Sequence, residues 1–312
     1  MNAVAPLTMK AIIFHENGSK EVLGYEDVPV PTPGPGEVLI RVESCSVNRG
    51  LDTMVRENGF GFPGFSLPHV SGADPAGTVA AVGEGVESDR VGDRVVVYPL
   101  IPCGECDFCL KNAGENYCRN YRVIGVQTWG GYAEFVRVPE RNAIPIPDGV
   151  SFEVASAFPV SYLPAYHGIV TLADLTREDT ILVMAAGSGI GMAAIDIATS
   201  IGARVIATAG SPWKLERARA LGADVAISYE NEDWAAQVRA ATGGRGVNVA
   251  FDNIGGETWS TSVSLLDRAG RMVCSGATGV VEATINLRDT YRNMTRMFFN
   301  TQGTSAELRL ML

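Results

Sequence analysis

The sequence predicts a two-part α/β protein, a mainly β first half followed by a doubly wound parallel sheet, and three observations carry that prediction. From Met9 to about Pro147 the apolar residues come in short, β-branched, partly alternating runs. Beyond Pro147 strand-like and helix-like runs alternate. The chain has 312 residues, 46% of them hydrophobic and 19% charged, enough apolar mass for two cores and too little charge for a disordered chain.

Each run justifies its element in turn. KAIIF, EVLIRVESCSV, GTVAAVG, RVVVYPL, AEFVRV and AIPIP read as strands. VPVPTPGPGE and GFGFPGFSLP between them suit turns and long connections, because their Pro and Gly fix or free backbone angles that a sheet interior does not use. Ser151 stands as an N-cap before a helix-compatible stretch from Phe152 to Leu172 that breaks at Pro164. Then come ILVMAA (181–186) as a buried strand, GIGMAAIDIATSIGA as a helix, RVIATA as a strand and PWKLERARALGA as a helix. VAIS, WAAQVRAATGG, VNVAFDN, a helix near Trp259 to Leu266 and RMVCSG continue the alternation. It predicts parallel βαβ units with helices on both faces. The chain shows no repeat of solenoid period.

Composition narrows the partners. With 25 basic against 35 acidic residues the net charge is −10, which repels a phosphate backbone, so nucleic acid is excluded as a main partner. No window holds the roughly 18 to 20 uninterrupted apolar residues of a membrane helix. MNAVAPLTMK lacks the basic flank and apolar core of a secretory signal. A cytoplasmic protein acting on a small-molecule substrate is expected.

Four of the six cysteines crowd into 16 positions as Cys103-x2-Cys106-x2-Cys109-x8-Cys118. Four thiolates so close in sequence can surround one zinc tetrahedrally. GECDFCLKNAGENYC is too polar for buried core cysteines, and the bacterial iron–sulfur run closes with x3-Cys-Pro, where this one has eight residues and then Arg119. One zinc per chain is expected, in a closed site that folds a loop.

AAGSGIG (185–191) lies directly after a strand and before a helix, where a dinucleotide-binding turn belongs. Gly187, Gly189 and Gly191 let a backbone approach a pyrophosphate, and the helix start, with Ser188 and Ile190, offers N–H groups. The spacing is GxGxG, not GxGxxG, and a ligand-free glycine turn is the competing reading. At the end of the second strand, where NAD sites place an acid on the ribose, the stretch is IATAGSPWK. Ala209 stands near the expected acid, nothing there repels a 2′-phosphate, and Ser211 and Lys214 can bind one, which favours NADPH. Ser211-Pro212 reads equally as a helix cap, and Lys214 as a surface lysine. His15, His69 and His167 stand alone and are read as structural. No G-x-S-x-G elbow is present.

Taken together, Gly72-Ala73-Asp74-x2-Gly77-x5-Gly83, the four-cysteine lobe, AAGSGIG and KLERARALGADVAISY resemble the medium-chain dehydrogenase/reductase superfamily over nearly the whole chain from Met9. The resemblance implies a GroES-like β-barrel catalytic domain (9–157, zinc lobe 103–118), a Rossmann domain (158–298) and a return segment (299–312). It also implies that Asn48, Ala73 and Val160 stand where zinc alcohol dehydrogenases hold a catalytic zinc by Cys, His and Cys, and none of the three is a good zinc ligand. Cys45 and His69 lie three and four positions off. The chain is therefore most similar to the quinone oxidoreductase branch.

In that branch the V-N-x3-D segment, matched by Val47, Asn48 and Asp52, borders the nicotinamide, and Lys214 and Tyr229 match positions that contact the 2′-phosphate of NADPH. Asn253, Ala277 and Asn300 are expected near the nicotinamide half from strand order. The expected activity is NADPH-dependent reduction of quinones or activated enones and carbonyls by hydride transfer without catalytic zinc, in a homodimer. The rivals are a zinc-dependent alcohol dehydrogenase and an inactive nucleotide-binding protein. The second arises because relatives continue a few tens of residues past Leu312, so a shortened return segment is expected to lower stability, alter assembly or cost activity.

Overall fold

The computed structural model describes residues 6–61 and 63–312. Its first unit runs to Val160 and takes in Thr304–Leu312, and its second is Ser161–Gly303. Part of GFGFPGFSLP, Phe62, lies outside the described residues. No helix among the described residues is long and apolar enough to cross a membrane.

The strands of the first unit are β1 (Thr8–Ile13), β2 (Gly24–Pro29), β3 (Glu37–Cys45), β4 (Pro75–Val82), β5 (Arg94–Val97), β6 (Leu100–Ile101), β7 (Arg122–Val123), β8 (Phe135–Pro139) and β9 (Ala143–Pro145), of which β2 and β7 fall outside the runs read as strands. The main sheet is antiparallel in the order β8-β3-β4-β5-β9, with ribbons β1–β2 and β6–β7 beside it. Val38, Ile40, Val79, Val95, Val97, Val136 and Val138 share one core on this sheet. Gly77 of the sequence motif sits in β4 opposite Val42, and a Cβ there would lie 2.0 Å from the Arg41 carbonyl oxygen. Only glycine lets β3 and β4 approach so closely. Between β3 and β4 the chain forms α1 (Arg49–Asn58), a helix that the sequence reading missed. Its hydrophobic stripe is thin, with Val55 its one buried residue.

Ser151 caps α3 (Phe152–Ser156) by accepting from the Val154 N–H at 3.3 Å. The expected break at Pro164 does not end the helical stretch. Wide π-type turns over Phe158–Tyr162 and His167–Leu172 flank α4 (Leu163–Tyr166), and Pro164 falls in its first turn, where no N–H is required.

The second unit holds β10 (Thr180–Val183), β11 (Arg204–Ala209), β12 (Val225–Ser228), β13 (Val247–Phe251), β14 (Leu266–Cys274) and β15 (Arg296–Phe299), all parallel, in the order β12-β11-β10-β13-β14-β15. The helices α5 (Gly189–Ile201), α6 (Pro212–Ala220), α7 (Trp234–Ala241), α8 (Gly256–Ser264) and α9 (Leu287–Arg292) connect the strands. This is the order 3-2-1-4-5-6 of a doubly wound dinucleotide fold, and its topological switch lies at β10, from which the chain leaves to both sides. Two cores cover the two faces, one gathered on Ile181, Val183, Val205 and Phe251 and the other on Leu182, Ile206, Ala250 and Met272. The final α10 (Ser305–Met311) opens with a capping box from Thr304 and Glu307 and belongs to the first unit.

The β10–α5 turn brings helix and strand into close contact. Ala185 takes a positive φ of 52°, Ser188 caps α5 by accepting from the Gly191 N–H at 3.1 Å, and a Cβ on Gly191 would lie 2.4 Å from the Ala185 carbonyl oxygen. Gly191→Ala is therefore expected to destabilise the protein by about 1–3 kcal/mol, because the clash is with backbone that has no rotamer to yield. A urea midpoint equal to that of the parent would contradict this account.

Candidate active site

In the first unit the end of β3, the start of α1 and the start of β4 meet around one buried carboxyl. Asp74 has no solvent exposure. Its Oδ2 accepts from Ser46 Oγ at 2.5 Å and from Asn48 Nδ2 at 2.9 Å, while Oδ1 has no partner among the described residues. Asn48 Nδ2 also reaches Ser46 Oγ at 3.2 Å. Asp52 Oδ2, one helical turn into α1, accepts from the Asn48 backbone N–H at 2.7 Å and from the Tyr132 hydroxyl at 2.6 Å, and that hydroxyl also lies 3.0 Å from the Ser46 carbonyl.

Burial pushes Asp74 up to about 7 and overrides the hydrogen bonds from Ser46 and Asn48 that favour its ionised form; the charge of Asp52 adds to the rise. Asp52 is raised as well, first by burial, against the bonds from Tyr132 and Asn48. The structure thus brings Asn48 and Asp52 into one network and adds Ser46, Asp74 and Tyr132. Asp74 had a sequence signal in Gly72-Ala73-Asp74, but Tyr132, 80 positions from Asp52, had none.

The same corner does not fit a catalytic zinc. Asn48 commits its amide to Asp74 and Ser46, and Ala73 is a buried methyl. Cys45 is walled by Gly72 and Gly131, and burial holds its thiol well above its usual range. His69 is spent elsewhere, with Nε2 3.0 Å from the Gly125 carbonyl oxygen and its ring against Phe14 and Phe65. Among the described residues one metal-ligating group of three or more side chains is present, and it is the cysteine lobe.

In that lobe the ligand atoms of Cys103, Cys106, Cys109 and Cys118 all lie within 4.8 Å of one another. Cys106 Sγ is 3.5 Å and Cys103 Sγ 4.0 Å from Cys109 Sγ, against about 3.8 Å between sulfurs of a zinc tetrahedron. The donor set fits zinc. The ribbon β6–β7 closes the lobe, α2 (Asp107–Leu110) carries Cys109, and Arg119 grips Asp107 through two bonds of 2.6 and 2.8 Å while lying over Phe108. The eight-residue spacing before Cys118 does not prevent convergence. Ser305 of α10 bonds Glu115, tying the last helix to the lobe.

In the second unit Gly189 and Ile190 open α5, and their first-turn N–H groups have no intrahelical acceptor, as an anion site requires. The Ser188 hydroxyl is engaged in the cap. Lys214 runs its stem over Gly187, where a Cβ would come within 2.5 Å of Lys214 Cδ, so it is held at the turn and does not project freely. Ser211 occupies the N-cap position of α6 with Pro212 after it, but its side chain makes no cap bond; Oγ is buried without a partner.

IATAGSPWK carries no acid, yet the space beside it does: Ser228 of β12 pairs with Ala209, so Tyr229 emerges level with Gly210 and Glu230 one residue on. A Cβ on Gly210 would lie 2.8 Å from Glu230 Oε1 and 3.0 Å from the Tyr229 hydroxyl. A carboxylate therefore lies beside the end of β11, delivered by the neighbouring strand.

The ends of β13, β14 and β15 join through Ser275, whose N–H donates to Asn253 Oδ1 at 2.6 Å and whose hydroxyl lies 2.7 Å from Asn300 Oδ1. Asn300 Nδ2 donates to the Pro164 carbonyl, whereas Asn253 Nδ2 is buried without a partner. Ala277 lies exposed in the loop beyond β14 and is not part of this chain of bonds.

Residues 34–148 match the model of the alcohol dehydrogenase GroES-like domain and residues 189–312 that of the zinc-binding dehydrogenase family. The chain is 35% identical over 277 residues to an NAD-dependent alcohol dehydrogenase of Sulfolobus acidocaldarius, covering 87% of this chain and 78% of that protein. It is 32% identical over 276 residues to a quinone oxidoreductase of Salmonella typhimurium, covering 88% and 75%. A crystal structure of an NAD-dependent alcohol dehydrogenase superposes with a TM-score of 0.90 at 40% identity, covering 97% of this chain and 88% of that one.

The buried carboxyl generates a pH prediction. Between about pH 4, where Asp74 titrates in the unfolded chain, and about 7, where it titrates when folded, the folded state keeps a proton that the unfolded chain has released. Stability conferred in this way is complete below the unfolded value and is lost as pH rises through the folded one, by up to about 4 kcal/mol. Asp74→Asn is expected to remove most of that slope, leaving the shares of Asp52 and Asp252, both also raised by burial. Urea melts of both proteins at pH 5 and pH 8 measure it, and parallel slopes would refute the assignment.

Proposed function

This chain belongs to the medium-chain dehydrogenase/reductase superfamily, and we propose that within it the protein is a reductase of quinones or activated enones that works without a catalytic zinc. The observation that carries the reading is Asn48. It stands with Ala73 and Val160 where a catalytic zinc would need ligands, and its amide is tied to a buried carboxyl instead. The fold's dinucleotide turn fits a nicotinamide cofactor, which supplies a hydride when bound. The N–H groups of Gly189 and Ile190 would hold its pyrophosphate, with Gly187 and Gly191 allowing close backbone approach. Lys214, Ser211 and Tyr229 would meet a 2′-phosphate, which supports NADPH as a cofactor, and Asn253, Ala277 and Asn300 would face the nicotinamide half.

What the polar corner of the first unit offers chemistry is hydrogen bonding. Ser46, Asn48 and Tyr132 direct their donor hydrogens at Asp74, at Ser46 Oγ and at Asp52, and Asp74 holds or releases a proton near neutral pH beside Ser46 Oγ. When Asp74 holds its proton it can donate to Ser46 Oγ, and the Ser46 hydroxyl is then free to donate to a substrate oxygen, stabilising an oxyanion by hydrogen bonding and not by Lewis acidity. Substrates that already polarise their own carbonyl suit such a site; a plain alcohol, which must lose its proton, benefits more from a metal.

The cysteine lobe belongs to the same proposal as the site of one structural zinc. A homodimer is supported by β15, the outer strand of its sheet, with Phe299 65% exposed, since an unpaired edge accepts a second strand. A cytoplasmic setting is supported by a thiolate metal site, which a reducing compartment preserves.

The test is NADPH oxidation with a panel of quinones and enones beside alcohol oxidation with the oxidised cofactor, together with zinc counted per chain. Turnover of the electron-poor acceptors and one zinc are expected; two zincs with turnover of alcohols alone would return the zinc-dependent dehydrogenase to first place. Cofactor binding with no turnover on either panel would favour the inactive nucleotide-binding protein. Chelation of the zinc is expected to lower Tm by about 5 °C or more while leaving turnover at low temperature. Immediate loss of turnover with no change in Tm would assign the metal to catalysis.

A further inference from the structure

The end of β11 presents charges of both signs, and their placement bears on which cofactor the protein accepts. Lys214 lies over Gly187 on one side of this strand end, and the Glu230 carboxylate lies against Gly210 on the other. Glu230 has no cation paired with it among the described residues. Ser211, three positions before Lys214, has its hydroxyl buried and unpartnered, and the Tyr229 hydroxyl also faces Gly210. An orphaned buried hydroxyl at a strand end of this topology marks a place where a ligand's hydrogen-bonding group belongs.

Resting on the dinucleotide reading above, we propose that Glu230 is the residue that sets cofactor choice: it takes the role of the ribose-binding acid that β11 lacks, so that the protein accepts NADH as well as NADPH. The register explains how. Parallel pairing of Ser228 with Ala209 sets Tyr229 level with Gly210, and the Glu230 carboxylate, one residue on, reaches back to Gly210 directly after β11. A carboxylate there accepts a hydrogen bond from a free ribose 2′-hydroxyl. The same carboxylate repels a 2′-phosphate, which Lys214 attracts. Cofactor preference is then the difference between two single charges, and neutralising either one tips it.

The experiment is direct binding of NADH and of NADPH, by calorimetry on the full chain, to the parent protein and to Glu230→Gln, Lys214→Ala and Ser211→Ala. The parent is expected to bind both. Glu230→Gln is expected to tighten NADPH and weaken NADH, moving the ratio of their Kd values by about tenfold or more, and Lys214→Ala to move it the opposite way. Ser211→Ala is expected to weaken both. Glu230 is exposed, so its variant tests charge without disturbing a core. A ratio unchanged in Glu230→Gln, or an equal loss for both cofactors, overturns the proposal and leaves the reductase reading standing. Failure of the parent to bind either dinucleotide overturns both.

Discussion

The second unit depends on one close approach, that of the α5 start to the β10 end. With Gly191 against the Ala185 carbonyl, the helix begins almost on top of the strand, and its first free N–H groups open at the switch point of the sheet. A larger residue at Gly191 would push the helix outward and spread the donors that an anion needs grouped. The rest of the unit follows from this placement. Ser188 is committed to capping, Lys214 lies over Gly187, and the neighbouring strand ends bring Tyr229, Glu230, Asn253 and Asn300 to the same edge.

The first unit solves a different problem, the burial of a carboxyl. Removing Asp74 from water is costly, and the fold offsets only part of that cost with Ser46 and Asn48. The remainder appears as a group that titrates near neutrality in contact with a network of hydroxyls and an amide. A zinc ligand at position 48 would have placed a cation beside this carboxyl and kept it ionised. Asn48 leaves it able to hold a proton.

Strands, helices and glycine turns were legible because their causes are local. Alternation, β-branching and the Ser151 cap act within a few residues, and nearly every strand they predict is present. The strands β2, β7 and β15 and the helix α1 were not legible; the three strands owe their form to the strands they pair with more than to their own pattern, and α1 has only a thin apolar stripe. The cysteine lobe was legible for the opposite reason: its four ligands lie within 16 positions, so spacing alone constrains their geometry.

What the sequence by itself determined is the family, the layered α/β architecture and the spacing that brings four cysteines together in the lobe. These are properties of residue type and short-range spacing. Tertiary structure alone decided which polar groups share a site. Tyr132 meets Asp52 across 80 residues, and Asp74 meets Asn48 across 26. Glu230 reaches Gly210 only because parallel register aligns β12 with β11, and Ser211, set for a cap by its sequence, keeps its hydroxyl free of it. The physical reason is the same in each case. Charge and hydrogen bonding act through a few ångströms of space, and only the folded sheet decides which residues those ångströms separate.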